Sequence, residues 1–157
     1  MIAQAGVAVL TVSDTRTAAD DPSGDLLREG LKAAGHRLAG SAIVADDIRR
    51  IRNRLWRWIA DPQIDAVIAT AGTEVGSDGT IQVVRALLDV ERPSFAERFE
   101  ALPHSEDGAA AARSGAIAGA AGGTAIFALP GSESAVRLAW THLLCDELAH
   151  AVGELRR

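Results

Sequence analysis

Two aspartates and a glycine-rich turn are the residues of this chain best placed for chemistry. Asp46 follows a short apolar run, and Asp78 lies within Ala71-Gly72-Thr73-Glu74-Val75-Gly76-Ser77-Asp78-Gly79, which contains three glycines. Glycines let backbone N–H groups turn toward an anion, and a following helix adds the positive end of its dipole, so Gly72, Thr73 and Thr80 are candidates to cradle a phosphate. Asp46 and Asp78 can face one cleft and share a Mg²⁺, a hard cation that uses one or two carboxylates together with waters and substrate phosphates. The competing reading is that each carboxylate caps a helix and the loop is a plain turn; spacing alone does not separate the two.

The commonest alternatives are absent. The loop lacks the Gly-Lys-Ser/Thr ending of a nucleoside-triphosphate P-loop, and no Gly-x-Gly-x-x-Gly follows a strand. No Gly-x-Ser-x-Gly elbow exists for a serine hydrolase, and Ser13, Ser23 and Ser132 sit where capping or turn duty explains them. His142, Asp146 and His150 recur every four residues, but Leu143 and Leu144 place the core beside that face, so the three point to water or a neighbouring subunit. Cys145 is the single cysteine, which excludes an internal disulfide and a multi-cysteine metal site, and reads as a helix thiol packed in the core.

The elements that must hold these residues alternate between strand and helix. Gly6 to Val12 reads as a buried strand ending at Ser13-Asp14, followed by a helix with Ser23 as N-cap and Leu27, Leu31 and Ala34 on its apolar face. A strand from about Ala39 to Val44 completes a β-α-β unit, and Asp46 or Asp47 caps a second helix. In that helix Ile48, Ile51, Leu55, Trp58 and Ile59 form the apolar face. Arg49, Arg50, Arg52, Arg54 and Arg57 lie off it, as a solvated face or an anion-attracting rim. Ala66 to Thr70 is a third strand, and Thr80 to Leu88 and Phe95 to Leu102 are helices. Short strands at Ala116 to Ala120 and Thr124 to Leu129 flank Gly122-Gly123, and Pro130-Gly131-Ser132 leads into a last long helix.

This alternation predicts an α/β fold: a three-layer α/β/α sandwich around a mostly parallel sheet, in one domain spanning residues 1–157. Ligands of such sheets collect beyond the carboxyl ends of strands, which puts Ser13 and Asp14, the glycine loop, and Gly131 and Ser132 at one expected cleft.

Composition sets outer bounds. Apolar residues make up 48% and charged residues 24% of 157, a globular mixture, and the formal net charge of −5 offers no general attraction to nucleic acid or to an anionic membrane. No apolar run approaches the ~20 residues of a membrane span, and the amino terminus lacks the layout of a secretory signal, so a cytoplasmic location is expected.

Several separated segments, taken together, resemble the molybdenum cofactor biosynthesis B family, which is related to the molybdopterin adenylyltransferases. They are 10–16, Asp21-Pro22-Ser23-Gly24, Val44-Ala45-Asp46-Asp47, Thr70-Ala71-Gly72-Thr73, Ser114 to Gly119 and 127–132, in family order. The resemblance implies a molybdopterin-binding fold that takes molybdopterin as substrate and adenylylates its terminal phosphate with Mg²⁺ and ATP as cosubstrate. It implies Asp46 and Asp78 as catalytic and Mg²⁺-holding residues. Ser13, Asp14, Gly72, Thr73, Thr80, Ser114, Gly131 and Ser132 then bind the substrate, and the assembly is a homotrimer or homohexamer. The chain departs from the family pattern at Ala71 and Glu74 in the loop, at Ser77 and Gly115 where arginines are usual, and at Glu100. A unit charge such as Glu74 set ~4 Å from another costs on the order of 4 kcal/mol at an effective dielectric of ~20. Loss of adenylylation would leave a noncatalytic carrier or assembly paralogue.

Overall fold

The computed structural model describes residues 4–71, 79–104 and 115–156. In chain order its elements are β1 (Gly6–Val12), α1 (Pro22–Ala33), β2 (Arg37–Val44), α2 (Ile48–Ile59), β3 (Ala66–Ala71), α3 (Gly79–Leu87), β4 (Val90–Glu91), α4 (Pro93–Glu100), β5 (Ile117–Ala121), β6 (Thr124–Pro130), α5 (Glu133–Ala139) and α6 (Cys145–Leu155). A π-helical turn, Trp140–Leu144, joins the last two helices. The strands form one six-stranded sheet in the order β2-β1-β3-β6-β5-β4. The first four in that row run parallel, and β5 and β4 are antiparallel additions at one side.

Strands β1, β3 and β6 are buried along their whole length because helices cover both of their faces, which is why their sequences are apolar runs and not alternations. Edge strand β2 is half exposed. On one face Val7, Val9, Ile68, Phe127 and Leu129 pack against Leu27 and Leu31 of α1, Phe95 and Phe99 of α4, and Val136, Leu144 and Leu148. On the other, Ala8, Leu10, Val67, Ile126 and Ala128 pack against Ile51, Leu55 and Trp58 of α2 and Ile81 and Val84 of α3. Gly122 and Gly123 join β5 to β6 with φ of 56° and 84°, the two left-handed positions that a tight hairpin turn requires. A Cβ at Gly30 of α1 would come within 2.6 Å of the Trp140 indole, so the bare backbone there lets the π-helical turn seat its ring on α1.

Register decides what the sheet presents. Val12 pairs with Val44, Thr11 with Thr70 and Ala71 with Pro130, so β2, β1, β3 and β6 all stop at the same level on the same edge. From β1 the chain turns to α1 on one face, whereas from β3 it turns to α3 on the other, so neighbouring connections diverge between those two strands. In open parallel sheets, divergence of this kind marks where a ligand crevice lies, beyond the carboxyl ends.

Four local expectations are corrected. Helix α1 is capped by Asp21, with Pro22 in its first turn, and not by Ser23; Ala71 is the last, buried residue of β3 and not the first of the loop. The last helix is interrupted by the π-helical turn, and the two-residue strand β4 had no signal in the sequence.

Candidate functional site

The crevice is built from the strand ends upward. Past β1, the Ser13 N–H donates to Val44 O at 2.9 Å and ties the ends of β1 and β2 together. Ser13 Oγ then accepts from the N–H groups of Thr15 (3.2 Å) and Arg16 (3.0 Å), which curls the chain back over the edge. Asp14 Oδ1 accepts from the Asp46 N–H at 3.0 Å, so the two acidic turns are in direct contact.

At the start of α2 the duties of the two adjacent aspartates separate. Asp47 is the N-cap, its Oδ1 accepting from the Arg50 N–H at 3.1 Å. The Asp46 carboxylate stands instead beside the first turn of α3: a Cβ placed on Gly79 would lie 3.5 Å from Asp46 Oδ1. Thr80, next in that turn, is 1% exposed, and its hydroxyl has no hydrogen-bond partner among the described residues. The hydroxyl of Thr70, near the end of β3, is buried in the same condition. Leaving such a hydroxyl unsatisfied costs about 1–3 kcal/mol, so two at one edge mark a place where a water or ligand atom belongs.

Across the crevice, Gly131 is buried and its carbonyl accepts from Ser23 Oγ at 2.7 Å, joining α1 to the end of β6. Ser132 caps α5, accepting from the Ala135 N–H at 3.3 Å. Sequence reasoning missed the residue that braces this side. Asp21 is fully buried; it accepts from Thr11 Oγ1 (2.7 Å) and the Gly24 N–H (3.2 Å), and Arg16 and Arg28 approach it at 3.5 and 3.6 Å. Its signal was the Asp-Pro pair, an N-cap followed by a proline in the first turn.

Of the expected site residues, Ser13, Asp14, Asp46 and Thr80 therefore come together around the ends of β1, β2 and β3, and Gly131 and Ser132 stand at the next strand end, on β6. Gly72, Thr73, Asp78 and Ser114 lie outside the described residues, as do Glu74 and Ser77. The carboxylates of Asp14 and Asp46 and the hydroxyl of Thr80 are hard oxygen donors, which suit Mg²⁺ and the phosphates it accompanies.

The remaining titratable groups do other work. His142 and His150 are exposed, His150 Nε2 lies 3.0 Å from Glu154, and among the described residues no group of three or more His, Cys, Asp or Glu can hold a metal ion. Burial, reinforced by Asp146, pushes the Cys145 thiol up, away from reactivity. His36 is buried and accepts from the Ala5 N–H at 3.1 Å; burial and then the Arg156 charge hold its pKa below the ordinary value. No helix among the described residues is long and apolar enough to cross a membrane.

Comparison with known proteins agrees with this architecture. The sequence profile described as "Probable molybdopterin binding domain" matches residues 8–150. The molybdenum cofactor biosynthesis protein B of Halalkalibacterium halodurans is 44% identical over 149 residues, covering 94% of this chain and 88% of that protein. A crystal structure of molybdenum cofactor biosynthesis protein B superposes with a TM-score of 0.91 at 38% identity, covering 100% of this chain and 99% of the other. The tungsten cofactor synthesizing protein MoaB from Pyrococcus furiosus gives 0.80 at 30% identity, with 98% of each chain covered.

Proposed function

Because this chain belongs to the molybdopterin-binding family of molybdenum cofactor biosynthesis, we propose that the crevice at the ends of β1, β3 and β6 binds the phosphorylated pterin and joins an adenylyl group from ATP to its terminal phosphate. The observation that carries the reading is the division of labour at Asp46-Asp47. Capping of α2 falls to Asp47, and the Asp46 carboxylate is set between Asp14 and the start of α3.

In the reaction an oxygen of the pterin phosphate attacks the α-phosphorus of ATP in line, the bond to the bridging oxygen breaks, and pyrophosphate leaves. Asp46 and, by its place in the family motif, Asp78 would hold Mg²⁺, whose charge offsets that of the clustered phosphates. The first-turn amides of α3 and the Thr80 hydroxyl donate to phosphate oxygens. The turn at Gly131 and Ser132, held by Ser23, fixes the opposite wall. The same reading takes the protein to be a cytoplasmic homo-oligomer, a trimer or hexamer, a number that sedimentation velocity measures directly.

The test is transfer of labelled AMP from Mg-ATP to molybdopterin. Adenylylated pterin is the expected product. Saturable pterin binding without product would make the protein a noncatalytic carrier or assembly paralogue, and absence of pterin binding would reject the site.

A further inference from the structure

The two edges of the sheet are protected unequally. At one edge β4 is two residues long, its Glu91 is paired with Arg85 at 3.4 Å, and Pro93 opens the helix that follows, all features that discourage pairing with a further strand. At the other edge β2 is eight residues long, carries one charge, Arg37 at its start, and has no proline. It pairs with β1 on one side, and among the described residues no strand takes the other side. Its register shifts near the start, opposite Val7 and Ala8, and is unbroken from Gly40 to Val44.

The free side of β2 can act as a template. The Ser13 N–H donates to Val44 O, so the Val44 carbonyl points to β1, and alternation turns the amide and carbonyl groups of Ser41 and Ile43 outward. Leu38 is 44% exposed and Ile43 is half-buried, so the open strand is largely apolar.

Cations stand in both helix layers beside it. On the α1 face Arg28 Nη1 donates to Ser41 Oγ at 3.0 Å, although its charge is shared with Asp25 and Asp21. On the α2 face a Cβ on Gly40 would lie 3.2 Å from the Trp58 indole, and Arg54 stands over that ring, 5.6 Å from its centroid. The opposite flank of α2 looks along the sheet interior: Ile48 and Ile59 come within 3.7 and 3.0 Å of the Cβ positions of Gly79, in α3, and Gly122, in the β5–β6 turn. At about 100° per residue Arg50 and Arg57 fall on the Arg54 flank. Helix α2 has no acidic residue, and none of these three arginines is in an ion pair among the described residues, so its excess positive charge is turned toward the free edge.

We propose that β2 is a docking edge for another protein, adding an extended segment of it as a seventh strand to the six-stranded sheet, with acidic side chains on the α2 face and apolar ones on the other. Main-chain hydrogen bonds to Ser41 and Ile43 hold the segment, and the Arg54 flank selects its charge. The acidic turn at Asp46 and Asp47, past the end of β2, confines the guest's carboxylates to the stretch beside Arg54. A second copy of this chain is the poorer occupant, because two β2 strands paired about a twofold axis would set one arginine-rich α2 beside the other, cation against cation. The edge is independent of the crevice and of the reaction proposed there.

The test uses the intact protein and an acetylated, amidated peptide as long as β2 that alternates valine and glutamate. Calorimetry should show saturable binding that salt weakens, amide exchange at Ser41 and Ile43 should slow, and the valine–lysine counterpart should not bind. Of two forms N-methylated at every valine or at every glutamate, one should lose binding and the other keep it, since only alternate residues of a strand turn their amides toward a given neighbour. Arg54→Glu should raise Kd about tenfold at low salt, whereas Arg52→Glu, an equal change of charge on the α3 flank, should stay within about twofold. No saturable binding, equal responses to the two N-methylated forms, or equal responses to the two substitutions would overturn the proposal. So would protection of Ser41 and Ile43 that grows with protein concentration in the absence of peptide, which would make a second copy the occupant, or protection by a single-stranded oligonucleotide and not by the peptide.

Discussion

The two ends of the parallel sheet are made of similar residues and finished in opposite ways. At the amino end, polar groups are spent on one another. The Gly6 N–H and Arg156 both donate to Asp65 Oδ2, at 2.8 and 2.7 Å; the Ala5 N–H donates to His36 Nδ1; and Arg37 donates to Gln63 O at 2.7 Å. At the carboxyl end, two buried threonine hydroxyls lack partners among the described residues, and Asp46 is kept out of the capping role its neighbour performs. Satisfied polar groups stabilise the fold, and the two hydroxyls that lack partners among the described residues cost stability but can serve a ligand. On the proposed function, the amino end closes the domain and the carboxyl end binds.

Substitutions that treat the two ends alike should give opposite results. The largest effect is expected from Asp46→Asn, which should lower AMP transfer on the order of 10²–10³-fold, comparable to losing one transition-state-stabilising group, while the urea midpoint barely moves. Its neighbour reverses the pattern: Asp47→Ala should cost about 1 kcal/mol of stability through the lost cap and leave transfer within about threefold. A collapse of stability in the Asp46 variant would erase the distinction between the two residues.

Next in size, Asp65→Ala should destabilise by about 1–2 kcal/mol, because the Gly6 N–H loses its acceptor and the partly exposed Arg156 loses its ion pair, with molybdopterin affinity unchanged. Thr80→Val at the other end should have the opposite sign. Exchanging a hydroxyl that has no partner among the described residues for a methyl group should be neutral or stabilising by up to about 1 kcal/mol, and calorimetry should show weaker binding of the phosphorylated pterin. Lower stability with unaltered binding would assign that hydroxyl a structural partner.

The smallest effect is a pH slope confined to the amino end. The folded pKa of His36 lies below its ordinary value near 6.5, so the unfolded chain binds the proton more tightly. This contribution to stability is complete above pH ~6.5 and is lost as pH falls through the folded pKa. Urea midpoints taken down that range should fall more steeply for the native protein than for His36→Gln, in which the ring is gone; parallel slopes would remove His36 from the pH response.

Much of the fold was legible because its strands are apolar runs punctuated by glycine, proline and aspartate, and because Gly122-Gly123 specifies a hairpin. What was hidden depended on tertiary partners. Asp21-Pro22-Ser23 offers two caps, and Ser23 is drawn away to Gly131 only once β6 is beside α1. Strand β4 is two residues long and exists because β5 is there to pair with it. The π-helical turn leaves the apolar spacing of Trp140, Leu143 and Leu144 nearly unchanged, so periodicity cannot detect it. The same limit held at the site: the sequence placed Asp46 and Asp47 together, but only the hydrogen bond to Arg50 tells which one caps.

The most direct test of the crevice is amide hydrogen exchange with and without bound molybdopterin. A pterin seated on the strand ends should slow exchange at residues 13–16, 79–82 and 131–134 and leave residues 5–6, 36–37 and 65 unchanged. Protection centred on the amino end, or along α5 and α6 alone, would contradict the assignment of binding to the carboxyl edge.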